Sequence, residues 1–134
     1  MTNLAITAAD VRIVAIWEMM PDGPVNETVA AGVPVREDAT TGKYTPGNGS
    51  DTTENQIRGI AVNSAVAGET ITPMKKGVLD IGDALSSYSY GVPIYLSDTD
   101  GTLANTAGSQ SVIVGRVIAA WGNTTADKLL LVDL

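Results

Sequence analysis

Val, Ile and Thr together supply 39 of the 134 residues, as 14 Val, 10 Ile and 15 Thr. Side chains branched at Cβ lose rotamer freedom in a helix and pack well on a pleated surface. Gly (14) and Pro (6) recur along the whole chain and cut it into short segments. Phe is absent, and two Trp and four Tyr are the only aromatics. Val, Ile, Leu and Ala must therefore fill the core, which suits strands that approach one another closely. The expected fold class is mainly β: a small β-barrel or β-sandwich of short strands. One short helix, at about residues 83–90, and a flexible N-terminal arm complete the expectation.

The length fits one domain, which buries roughly two-thirds of its unfolded surface and needs no staples. Residues 1–10 read as the arm and residues 11–134 as a single β-rich domain. The chain has no Cys and no His. Disulfides, thiolate or imidazole metal sites, Cys nucleophiles and His-based triads are thereby excluded. The net charge of −7 disfavours a phosphate backbone as partner. The longest apolar runs, Ile13 to Trp17 and Val117 to Trp121, are five residues, against about twenty for a membrane helix. The first residues carry no cationic stretch of the signal-peptide kind. A soluble protein with neither nucleic-acid nor membrane partners is expected.

Along the chain, residues 11–19 read as a strand, 20–24 as turn chemistry and 25–31 as a returning strand. Residues 37–56 form the longest polar stretch and read as a surface loop available to a partner. Residues 57–66 and 69–81 read as strands, with Lys75-Lys76-Gly77 a bend or bulge. Asp83 is a candidate cap and Gly91 a candidate end for the helix. Strands follow at 92–97, 112–121 and 128–134. An internal echo runs through this order. Gly32-Val33-Pro34-Val35 returns as Gly91-Val92-Pro93-Ile94, each followed at the same offset by a turn glycine, Gly42 and Gly101. Gly59-Ile60-Ala61 is answered by the segment from Gly115 to Ala119. The echo is either a structural repeat or a phrase that any all-β chain reuses.

A search for chemistry finds no active site. Asp98-Thr99-Asp100-Gly101 opens like a calcium loop, but Gly sits at the fourth position and Ser109 at the twelfth, so a hairpin turn explains it better. Gly47-Asn48-Gly49 lacks the third Gly and the Lys of a phosphate loop. The acid pairs Asp80/Asp83 and Glu37/Asp38 read as solvated turn residues, and Lys75-Lys76 as a solvated pair. No catalytic, cofactor-binding or metal-binding residue is assigned, and no enzyme activity is expected. Trp17 and Trp121 are either sheet packing or interface anchors.

The order of several phrases is similar to that of the head decoration, or capsid cement, proteins of tailed phages. The phrases are Ala31-Gly32-Val33-Pro34-Val35, Gly59-Ile60-Ala61-Val62, Ala67-Gly68-Glu69-Thr70-Ile71 and Lys76-Gly77-Val78. They continue with Gly91-Val92-Pro93-Ile94-Tyr95-Leu96, Val114-Gly115-Arg116-Val117-Ile118 and Leu129-Leu130-Leu131-Val132. The resemblance implies a structural virion protein, made in the host cytoplasm. It implies a homotrimer on the outer surface of the expanded head that clamps neighbouring major capsid protein subunits. Thr2, Asn3, Leu4, Ala5, Ile6 and Thr7 are the expected capsid contacts. They alternate like a strand and are expected to order by joining an exposed sheet edge. Deleting them is expected to weaken capsid binding and leave the fold intact. Two other readings stand beside this one. A carbohydrate-binding or adhesion module of a phage tail or fibre would show a groove around Trp17, Trp121 or clustered Tyr88 and Tyr90. A small trimeric β-class nucleotide hydrolase would need a phosphate cradle and acid–metal chemistry.

Overall fold

The computed structural model describes residues 2–119 and 128–134. The chain is mainly β, and its principal sheet curls into a half-barrel. The strands of that sheet are β1 (Val11–Met19), β3 (Pro34–Glu37), β4 (Tyr44–Pro46), β5 (Gly59–Ala61), β7 (Pro73–Ile81), β8 (Pro93–Leu96), β9 (Leu103–Ala104), β10 (Ile113–Ala119) and β11 (Lys128–Asp133). A ribbon of β2 (Gly23–Pro24) and β6 (Thr70–Ile71) forms a second, two-stranded sheet.

Strand β7 organises the main sheet. Leu79 pairs with Ile13 and with Leu130, and Met74 pairs with Met19 and with Ile60. Strand β1 therefore runs along one edge of β7, while β5 and β11 follow one another along the other. The path β4-β3-β5-β7-β11-β10-β8-β9 then bends until its ends meet. The loop after β4 bonds to the β8–β9 hairpin: Gly49 N–H donates to the Ser97 carbonyl at 2.7 Å, and Gly101 N–H to the Gly47 carbonyl at 2.8 Å. The larger core lies inside this curl and includes Ile60, Met74, Leu79, Ile81, Leu85, Ile94, Leu96, Leu130 and Val132. A smaller core under the β2–β6 ribbon holds Val25, Val29, Val35, Tyr44, Ala61, Ala65 and Ile71.

The internal echo is a structural repeat. β4-β3-β5-β7 and β9-β8-β10-β11 are the same sequence of hairpin, strand and strand, read from opposite ends of the sheet. The match extends to single residues. Pro34 and Val35 face Ile60 and Gly59, as Pro93 and Ile94 face Arg116 and Gly115. Gly32 N–H donates to the Ala61 carbonyl at 2.8 Å, and Gly91 N–H to that of Val117 at 2.7 Å. Gly32 (φ 92°) and Gly91 (φ 84°) enter the paired hairpins in the left-handed region that glycine tolerates.

Four expectations need correction. Residues 83–90 form consecutive turns, not a helix. Ser86 N–H reaches the Asp83 carbonyl and Tyr88 N–H that of Leu85, both three residues apart and both at 3.0 Å. Leu85 is buried in the larger core, and eight residues with three Ser and two Tyr give too little propensity to extend one turn. Residues 25–31 make only isolated bridges, Val25 to Tyr44 and Val29 to Ala65. The polar stretch 37–56 is not a free loop, since it contains β4 and a buried run at residues 44–49. The N-terminal arm is docked, as described below. The bend at Lys75-Lys76-Gly77 is present: β1 and β7 slip register there, and Gly77 has φ 155°.

Candidate functional site

The expected contact residues Thr2 to Thr7 are folded against the chain's own sheet. Asn3 bridges Ala104 in antiparallel sense. Leu4 N–H donates to the Leu103 carbonyl at 2.9 Å, and Asn105 N–H to that of Thr2 at 3.1 Å. Thr2 N–H reaches Asn105 Oδ1 at 2.9 Å. The Asn3 side chain donates to Thr99 Oγ1 at 3.1 Å and accepts from Ser97 Oγ at 2.6 Å. Leu4 is only 6% exposed and belongs to the larger core, with Ile6 packed beside it. Thr2, Asn3, Ala5 and Thr7 face outward. The strand addition read from the alternation of Leu4 and Ile6 is thus made to the chain's own β9, which the arm covers as an edge.

The polar stretch earns its order from side-chain hydrogen bonds. Asp38 caps the turn after β3 by accepting from Thr40 N–H at 2.8 Å and Thr41 N–H at 2.9 Å. Those bonds hold its carboxyl below the usual carboxylate range. Asp51 repeats the arrangement with Thr53 and Glu54 N–H, both at 2.8 Å. Asn48 is nearly buried and ties three segments together. Its Nδ2 donates to Glu54 Oε2 at 2.9 Å and Asp100 Oδ1 at 3.1 Å, and its Oδ1 accepts from Ser50 N–H at 3.0 Å. Tyr44 plugs the smaller core and donates its hydroxyl to the Pro21 carbonyl at 2.8 Å. Burial, then the charges of Glu37 and Asp22, push this phenol above its ordinary range.

These polar groups bond to one another and do not converge on a cleft. An open depression of about 210 Å³ is lined by Arg36, Glu37, Ala39, Thr53, Gln56 and Arg58. Its cations are committed: Arg36 to Glu54 at 3.5 Å and Arg58 to Glu37 at 3.0 Å. Asp98 and Asp100, the residues of the calcium-like phrase, serve Ser109 and Asn48. Among the described residues no group of three or more His, Cys, Asp or Glu could hold a metal ion.

The exposed apolar residues point to a different kind of site. Ile13 (44% exposed), Val14 (40%), Ile16 (56%) and Trp17 (60%) all lie on β1. Among the described residues β1 pairs with β7 alone, so its outer edge is a row of backbone groups without a ladder partner. The sequence pattern placed this strand correctly. Register slips at Val14 and Trp17 break the alternation and turn apolar side chains outward on both faces. Of the other aromatics, Tyr88 packs on the larger core, and Lys128 Nζ sits 5.4 Å from the centroid of the Tyr90 ring. Tyr88 is half-buried and Tyr90 exposed, and Trp121 lies outside the described residues.

No protein-family model matches this chain, and no curated protein is significantly similar to it.

Proposed function

We propose that the protein is a structural virion component that binds the outer surface of the expanded head of a tailed phage and bridges major capsid protein subunits. The observation that carries this reading is the docked arm, whose Thr2, Asn3, Ala5 and Thr7 stand exposed alongside β9. The order of the phrases that resemble capsid cement proteins gives the partner. The outward residues of the arm, Thr2, Asn3, Ala5 and Thr7, are the proposed capsid contacts. Leu4 and Ile6 hold them in place from within.

Co-sedimentation with undecorated heads tests the proposal. Saturable binding to expanded heads, and none to unexpanded procapsids, is expected. Binding to neither form overturns the capsid reading.

A further inference from the structure

The outer edge of β1 has a second property. Its residues are complementary to themselves when read in reverse. About Ala15 the strand places Arg12 against Glu18, Ile13 against Trp17, and Val14 against Ile16. We propose that β1 is the contact between two copies of this chain, paired antiparallel across a two-fold axis at Ala15. The exposed apolar side chains then meet across the strands, and each Arg12 meets the partner's carboxylate at the rim.

Two observations support this occupant over an unrelated strand. First, the charges are complementary. Among the described residues Arg12 makes no ion pair, and Glu18 engages Lys75 at 3.0 Å through Oε2 while remaining half exposed. A carboxylate has room for a second cation. Second, the strand presents four exposed apolar side chains, Ile13, Val14, Ile16 and Trp17, on an edge that carries no Pro. The isologous contact closes on itself and produces no fibre. It is separate from the three-fold contact that the capsid resemblance implies, and it would give even-numbered assemblies, dimers or paired trimers. It does not depend on the capsid reading, since it is tested without capsids.

The test uses charge reversal in the full-length chain, followed by sedimentation velocity. The unmodified chain is expected as an even-numbered assembly. Arg12→Glu places Glu against Glu, and Glu18→Arg places Arg against Arg. Each variant alone is expected to associate about tenfold more weakly. An equimolar mixture of the two restores both opposite-charge pairs and is expected to recover the assembly. Recovery on mixing cannot come from variants that fail to fold, and circular dichroism of each confirms that they do fold. Ile16→Lys is expected to abolish association in any combination. A monomeric or trimeric unmodified chain overturns the proposal, as does an assembly indifferent to these changes or a mixture no stronger than its components.

Discussion

Gly59 and Gly115 hold equivalent places in the two repeats, and both lie against the carbonyl of a neighbouring central strand. A Cβ at Gly59 would stand 2.7 Å from the Met74 carbonyl oxygen. At Gly115 a Cβ would overlap the Leu131 carbonyl oxygen outright. Both positions sit in a ladder that cannot shift without breaking its bonds. Gly115→Ala is expected to cost about 3 kcal/mol, the upper end for overpacking, and Gly59→Ala less. Urea denaturation of the two variants checks the order, and equal costs would contradict the geometry. Tyr44 offers a test of the polar stretch. Tyr44→Phe keeps the ring and removes the bond to Pro21, at a cost of about 1 kcal/mol. The folded chain raises the phenol above its reference value of 10.0, so the protonated form is the one stabilised. The difference between the two proteins should hold below pH 10 and shrink as pH rises through the folded value. A difference that grows in alkali would mean that the hydroxyl is not a donor.

At the scale of elements, the arm behaves differently from its expected role. The alternation of Leu4 and Ile6 was legible as a strand, but sequence alone could not say whose edge the strand joins. The answer lies in Ala104 and Leu103, about a hundred residues away. Because Leu4 is buried, Leu4→Ala is expected to destabilise the fold by about 2–3 kcal/mol, measurable by thermal unfolding. Deleting residues 2–7 should therefore weaken the fold as well as any capsid contact, and a deletion with unchanged stability would show the arm to be detachable. The strands read at 11–19, 69–81 and 92–97 were legible from β-branched content and flanking Gly and Pro, and they stand at Val11–Met19, Pro73–Ile81 and Pro93–Leu96. The helix expected at 83–90 was not there, because Leu85 gains more from the core in a turn than two helical turns would return. The order within 37–56 was invisible to hydropathy, since it rests on Asp38, Asn48 and Asp51 closing turns with their own neighbours. The outward apolar edge of β1 was equally hidden. Sequence periodicity assigns faces on the assumption of an unbroken ladder, and β1 breaks it twice.

Across the whole molecule, the repeat accounts for the sheet but not for everything on it. Two hairpins of the same register, two glycines against two carbonyls and two left-handed entries build a scaffold that closes on itself. The echo was legible in the phrases Gly-Val-Pro-Val and Gly-Val-Pro-Ile. What the sequence left unstated was that the copies run inward from opposite ends of one sheet. Among the described residues, the docked arm, β1 and the β2–β6 ribbon have no counterpart in the second copy. A duplicated scaffold is interchangeable between its halves, so it cannot by itself tell one direction from another. Whatever gives this molecule an inside and an outside must reside in the parts that were never copied.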